Sequence, residues 1–153
     1  MKKSDMGLRL TGLVAMGTLM VDQGLKALLK DADQMLLPGV VKLLGIKNPG
    51  ISFGFLAGHP EIVSLMTLAL ILLAALFLRR FPLSAVGAVG AGLLLGGALG
   101  NLLDRVIYGA VVDYVKLLFI DFPVFNLADA CILLGAGLLV MEALAGPEAK
   151  RHG

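Results

Sequence analysis

Residues Gly96–Asp129 read GGALGNLLDRVIYGAVVDYVKLLFIDFPVFNLAD, and the organisation of the whole chain turns on them. Two copies of Asn-Leu-x-Asp occur in the stretch, Asn101-Leu102-Leu103-Asp104 and Asn126-Leu127-Ala128-Asp129. The first closes one apolar run and the second opens another. Asp113 lies between them in Val111-Val112-Asp113-Tyr114-Val115. Three carboxylates are therefore drawn to one edge of an apolar protein. An ionisable group at membrane depth is costly, which makes each a candidate functional residue.

Working outward, the 153 residues are 58% hydrophobic, with mean hydropathy +0.92 and only 16% charged residues. Soluble domains carry about a quarter charged residues. The composition describes an α-helical integral membrane protein built as one unit. The net charge of +2 says nothing of partners, and no nucleic-acid partner is indicated. The single cysteine, Cys131, excludes an internal disulfide and reads as a small buried hydrophobe. No cleavable signal sequence is expected, because the first apolar run is too long and has no small-x-small exit.

Crossing the hydrocarbon takes about 20 apolar residues. Four segments approach that length, at about 10–29, 60–78, 83–103 and 127–144. The first does so only by including Asp22 and Lys26, which share a helix face at i,i+4. They form either a local ion pair near the membrane surface or a face turned toward the site. In the third segment Gly92, Gly96 and Gly100 recur every fourth residue, a pattern that lets helices approach closely.

Two segments interrupt the spans. Residues 30–58 mix charges with Pro38, Gly39, Gly45, Pro49, Gly50, Gly54 and Gly58. Strands are predicted at Val40–Ile46 and Ile51–Leu56, with Asn48-Pro49-Gly50 as the turn. This reads as a small β-rich lobe with Phe53, Phe55 and Leu56 on its apolar face, or as a plain hairpin. Residues 105–125 form a second short extramembrane segment, in which Val111–Ile120 suits a strand or a short amphipathic helix and Asp121 is a solvated loop charge.

Four spans place both termini on one side. Lys2, Lys3, Arg9, Arg79, Arg80, Lys150 and Arg151 gather there, against Lys30, Lys42, Lys47, Arg105 and Lys116 opposite. The positive-inside rule makes the terminal side cytoplasmic and the lobe periplasmic.

The residue types restrict the chemistry. His59 and His152 lie at opposite boundaries, so neither a Ser-His pair nor a histidine-rich metal site is indicated. A Ser-Lys pair would need Lys26 beside Ser52. Paired carboxylates remain: two close together share one proton, so that one can accept a proton from water while the other donates. Asp113, set among valines and a tyrosine, and Asp129, at the start of a span, are the desolvated choice. Asp104, with Arg105 beside it and Lys26 a candidate neighbour, suits a supporting ion pair.

The chain resembles the lipoprotein signal peptidases (signal peptidase II). The resemblance covers nearly the whole chain and rests on Asp22-Gln23-Gly24-Leu25-Lys26, Asn48-Pro49-Gly50-Ile51-Ser52-Phe53, Gly96–Arg105, Val111-Val112-Asp113-Tyr114 and Phe125-Asn126-Leu127-Ala128-Asp129, in that order. It implies a four-helix inner-membrane aspartyl endopeptidase, monomeric and free of metal and cofactor. Its substrates would be diacylglyceryl-modified prolipoproteins drawn from the membrane lipid, cut just before the lipidated cysteine. The resemblance places the catalytic pair on Asp113 and Asp129. It gives Asn48, Gly50, Asn101, Arg105 and Asn126 contacts to substrate or to globomycin-type inhibitors, and leaves Asp22, Lys26 and Asp104 as structural support. Ser52 and Tyr114 stand where alanine and phenylalanine are frequent. The competing class is a small proton-coupled membrane carrier, which would also hold intramembrane carboxylates but is expected to show inverted repeats.

Overall fold

The structure is a computed structural model that describes residues 3–50, 59–80 and 83–145. In chain order the elements are α1 (Lys3–Leu29), β1 (Asp33–Leu37), β2 (Val41–Asn48), α2 (Pro60–Arg80), α3 (Ala85–Tyr108), β3 (Val111–Leu117) and α4 (Leu127–Leu144). Three helices are long and apolar enough to cross a membrane, within Asp5–Leu29, Ala85–Tyr108 and Leu127–Leu144. In α2 the corresponding apolar stretch is shorter, Glu61–Leu76.

α3 is the central post, packed by α1 on one side and α4 on the other. Its glycines explain how. A methyl at Gly96 would stand 2.5 Å from the Ala15 carbonyl of α1, and one at Gly97 would stand 2.5 Å from the Ala128 carbonyl of α4. Gly92 and Gly100 also face α1, so the fourfold spacing marks the α1 contact, while Gly90 and Gly97 make a second bare face for α4. Such contacts bring backbones together without bulky side chains between them. At the far end from the sheet, the Ser84 side chain caps α3 by accepting from Gly87 N at 3.2 Å. The Glu142 carboxylate of α4 accepts from Ser84 N at 3.0 Å, which pins the two helices there.

α3 runs past the end expected at residue 103 and carries Asp104 and Arg105 inside its last turns. Arg105 therefore belongs to a helix and not to the connecting segment. The stop comes at Gly109, whose φ of 68° is the left-handed conformation that ends helices and that glycine adopts at least cost.

The strands form one antiparallel sheet in the order β1-β2-β3. β1 is a strand absent from the sequence reading. β2 extends to Asn48, and of the two conformations open to Val111–Ile120 the strand is adopted. The expected strand Ile51–Leu56, with Ser52, Phe53, Phe55 and Leu56, lies outside the described residues. The β2–β3 register shifts between Leu43 and Ile46. Gly45 lies in this irregularity, where a Cβ would run into the carbonyls of Leu29 and Lys30 at the end of α1. A bulge without a side chain thus lets the sheet sit directly against the helix end. Asp121 is exposed, as a solvated loop charge should be.

Candidate active site

β3 brings Asp113 to the helix ends. In the β2–β3 register Ile46 stands opposite Asp113 and Asn48 opposite Val111. Asn48 and Asp113 are thus diagonal neighbours on one face, and Asn48 Nδ2 donates to Asp113 Oδ2 at 2.9 Å. On its other edge β3 bonds to the approach to α4: Val115 N donates to Phe125 O at 2.8 Å, and Phe125 N to Val115 O at 3.0 Å. That pairing delivers Asn126 to Asp113, and Asn126 Nδ2 donates to Asp113 Oδ1 at 2.7 Å.

Asn126 is also the N-cap of α4. Its Oδ1 accepts from Asp129 N at 2.9 Å, while Asp129 Oδ2 accepts from Asn126 N at 3.2 Å. This is a capping box, in which cap and third helical residue bond each other's backbone. It turns the Asp129 carboxylate back toward β3 instead of out along the helix. Asn101 Nδ2, from α3, donates to Asp129 Oδ1 at 2.8 Å. Each oxygen of both carboxylates therefore accepts from an N–H donor.

Asp113 is buried, and desolvation pushes its pKa from 3.8 up to about 6. Asp129 nearby raises it further, whereas the amides of Asn48 and Asn126 hold it down by bonding the charged form. The neighbouring Tyr114 hydroxyl is pushed up to about 12, also chiefly by burial, and accepts from Leu127 N at 3.1 Å.

Behind the pair lies a buried ionic cluster. Lys26 Nζ stands 2.8 Å from Asp22 Oδ2 and 3.0 Å from Asp104 Oδ2, and all three side chains are buried. The same ammonium donates to Asn101 Oδ1 at 2.8 Å. Lys26 thereby fixes which end of the Asn101 amide faces Asp129. Asp22 Oδ1 accepts from Ala128 N at 3.0 Å in the first turn of α4, and Asp104 Oδ2 from Val112 N at 3.1 Å. The Asp22–Lys26 ion pair is present, and its helix face turns inward to this cluster. Removing one partner from such a buried set leaves the others uncompensated.

A cavity of 610 Å³ opens over the carboxylates. Asn48, Asn101, Arg105, Asp113 and Asp129 line it, and Phe122, Phe125, Ile132 and Leu133 give it an apolar wall. Asn126 does not line it; the side chain is wholly buried beneath both carboxylates. Gly50 is buried as well, and its carbonyl accepts from Arg105 Nη2 at 3.0 Å. Arg105 Nε is buried and has no hydrogen-bond partner among the described residues. The site thus collects Asn48, Asn101, Arg105, Asp113 and Asp129 at one surface, with Asn126, Gly50, Asp22, Lys26 and Asp104 behind it. Lys26 is taken up by two carboxylates and an amide, and Ser52 lies outside the described residues. Among the described residues no group of three His, Cys, Asp or Glu stands close enough to hold a metal ion.

Gln23 belongs to the cluster without having been singled out in the sequence. Its amide donates to Asp104 Oδ1 at 3.0 Å and to Gly100 O at 3.3 Å. The available signal was its polarity inside an apolar run, next to Asp22. The capping role of Asn126 was likewise legible in the spacing Asn-x-x-Asp before an apolar segment.

Residues 14–145 match the family model for signal peptidase (SPase) II. A lipoprotein signal peptidase of Brucella ovis is 39% identical over 140 residues, covering 86% of this chain and 88% of the relative. One from Halothermothrix orenii is 33% identical over 134 residues, covering 84% and 91%. Two solved structures share the fold. A bacterial membrane enzyme determined by the in meso method at 2.3 Å superposes with TM-score 0.82 at 26% identity, covering 94% of this chain and 92% of that one. Another, at 1.9 Å, gives 0.79 at 27% identity, covering 90% and 93%. Matched along most of its length by the family model and by relatives of the same name, this membrane-embedded peptidase belongs to the signal peptidase II family.

Proposed function

We propose that the protein is an aspartic endopeptidase of the bacterial inner membrane, acting on diacylglyceryl-modified prolipoproteins and cutting just before the lipidated cysteine. The observation that carries this reading is the placement of Asp113 and Asp129 on one cavity wall, with Asn126 bonded to both. No metal or cofactor takes part, and globomycin-type inhibitors fill the same cavity. The carrier reading has no observation in its favour.

Asp113, with its raised pKa, holds the shared proton. Asp129 sits in the first turn of α4, where the helix dipole favours negative charge, and acts as the base. A water between them loses a proton to Asp129 and attacks the scissile carbonyl, whose oxygen receives the proton from Asp113. Asp129 then gives its proton to the amide nitrogen while a hydroxyl of the tetrahedral intermediate returns a proton to Asp113; the C–N bond breaks and the signal peptide is released. The amides of Asn48, Asn101 and Asn126 hold the carboxylates in place during these transfers, and Asn126 does so from below, without touching substrate. Arg105 and Asn48, which both line the cavity, bind the substrate backbone.

In this reading the chain is one domain and one monomer. All four long helices cross the bilayer, both termini are cytoplasmic, and the sheet lies on the periplasmic side. A substrate enters sideways from the lipid with its acyl chains still inserted. The test is a gel-shift cleavage assay on a lipidated prolipoprotein in the presence of a chelator. Cleavage by the wild type, and loss by about a thousandfold in Asp113→Asn and in Asp129→Asn, is the expected result. Turnover near wild type in either variant, or loss of wild-type activity to the chelator, would refute the assignment.

A further inference from the structure

The first N–H groups of a helix have no partners within it, and a capping side chain satisfies one of them. At the start of α4 three of them are taken by three different side chains. Leu127 N donates to the Tyr114 hydroxyl at 3.1 Å, Ala128 N to Asp22 Oδ1 at 3.0 Å and Asp129 N to Asn126 Oδ1 at 2.9 Å. Asn126 is the helix's own cap, whereas Asp22 comes from α1 and Tyr114 from β3. This turn carries Asp129, so what holds the turn also holds that carboxylate.

Tyr114 follows Asp113 in β3, and successive strand residues project to opposite faces. Asp113 reaches the cavity wall; Tyr114 is 3% exposed and is not among the cavity's lining residues. Tyr114 bonds the entry to α4 twice. Its backbone N donates to Phe125 O at 3.1 Å, and its hydroxyl accepts from Leu127 N two residues on. Burial pushes that hydroxyl up to about 12, so it stays neutral across the pH range of the reaction. Asp113 belongs to β3 and Asp129 to α4, which makes their separation a property of this joint. We propose that Tyr114 is a positioning residue, whose hydroxyl locks the first turn of α4 to β3 and so fixes the spacing of the two carboxylates. A turn held by its own cap alone is free to rock. The second attachment comes from the strand that carries Asp113, and it removes that freedom.

The inference rests on the proposed pairing of Asp113 with Asp129. Tyr114→Phe removes one oxygen and keeps the ring in place. In the cleavage assay on a lipidated prolipoprotein, kcat per folded enzyme should fall about tenfold, with KM within about twofold of wild type. The pH profile gives a second reading. Asp129 helps to raise the pKa of Asp113 to about 6, so a loosened Asp129 should move that limb to lower pH. Lys26 on α1 and Arg105 on α3 also act on Asp113 or share its cavity, and Asp22 and Asp104 are paired with Lys26. On β2, Lys47 falls on the opposite face of the sheet from Asn48 and Asp113. Of these groups only Asp129 sits on the helix that the Tyr114 hydroxyl bonds, so the shift reports Asp129.

Tyr114→Phe also strands Leu127 N, which lowers thermal stability. Adding Leu127→Pro removes that donor, and proline suits both the first helical position and the extended Asn126 before it. The double variant should regain stability while kcat stays low. Recovery of kcat together with stability would make the hydroxyl a brace of the fold only and overturns the proposal. A Tyr114→Phe enzyme with wild-type kcat and an unmoved limb overturns it equally. If Tyr114→Phe fails to fold, the double variant carries the test. Asp113→Asn and Asp129→Asn, run alongside, separate the two failures. If either turns over substrate like the wild type, the pairing falls and this inference with it. If both are inactive beside an unaltered Tyr114→Phe, the pairing stands and only the role of Tyr114 falls.

Discussion

Asn101-Leu102-Leu103-Asp104 and Asn126-Leu127-Ala128-Asp129 repeat one pattern at opposite ends of two adjacent helices, and the ends make them different instruments. The first lies in the closing turns of α3, where residues three apart project from one face. Its aspartate points inward near the negative end of the helix dipole and is matched by Lys26. The second straddles the start of α4, where asparagine and aspartate satisfy each other's backbone. Its aspartate sits near the positive end of the dipole, at the wall of a cavity that Arg105 also lines. The dipole favours an acidic side chain at a helix start and opposes one at a helix end, and there Asp104 has Lys26 beside it.

The largest effects should separate the two copies outright. Asp129→Asn is expected to lower cleavage by about a thousandfold or more, while the cap it shares costs only about 1 kcal/mol. Asp104→Asn should reverse the order. It strands Lys26 within a buried cluster, so unfolding in detergent should lose about 3–5 kcal/mol, with activity falling as folded protein is lost. A fully stable and merely inactive Asp104→Asn would erase the distinction between the copies.

Asn126→Ser tests the cap against the clamp. A serine can still accept from Asp129 N, so α4 keeps its start, but the amide donor to Asp113 Oδ1 disappears and only that from Asn48 remains. Stability should fall by about 1–3 kcal/mol for the groups left unpaired, and turnover should fall more than substrate affinity. Equal losses in both kinetic constants would mean that the residue acts on binding.

A pH profile sharpens the same point. Burial raises the folded-state pKa of Asp113 to about 6 from 3.8. Its protonated form therefore favours the fold, fully below about 3.8, and that contribution is lost as pH rises through about 6. If Asp113 holds the reacting proton, kcat/KM should fall along a limb near that value. Asn48→Ala removes a hydrogen bond that stabilises the charged form, so the limb should move to higher pH. A limb that stayed in place would detach Asn48 from the titration.

The smallest effect is a comparison of caps. Ser84 caps α3 at the end remote from the cavity, and Ser84→Ala should cost about 1 kcal/mol in thermal unfolding with cleavage unchanged. A fall in activity would link that end of the molecule to the site.

Much of this was legible in the sequence, for identifiable reasons. Leu127–Leu144 and the body of α3 are long apolar runs, and the glycine spacing marks a face for close helix contact, though not which helix fills it. Asp113 stands out because valines and a tyrosine surround it. The end of α3 was hidden because Asp104-Arg105 looks like a boundary when charges are assumed to face water. Here Asp104 turns inward to Lys26 and Gln23, and the helix continues for another turn. β1 was hidden because all five of its residues are exposed, so no buried-face alternation betrays a strand. Val111–Ile120 was ambiguous because its first four residues are buried on both faces. Only its pairing with β2, distant in sequence, settles the conformation. Asn126 was noticed for the right position, but its burial beneath both carboxylates depends on three elements meeting.

That sheet order also governs when the site can exist during biosynthesis. β3 pairs with β2, yet α2 and α3 are made between them, and α4 follows last. Asn48 leaves the ribosome early, Asp113 only after α3, and Asp129 later still. A nascent chain holding everything through α3 has neither carboxylate. One that ends after β3 has Asp113 but lacks both Asn126 beneath it and the other half of the pair. If Asp113 and Asp129 are the reacting pair, as proposed, a chain assembled in this order stays inert until its last helix is in place, and partly made copies cannot cut the proteins around them.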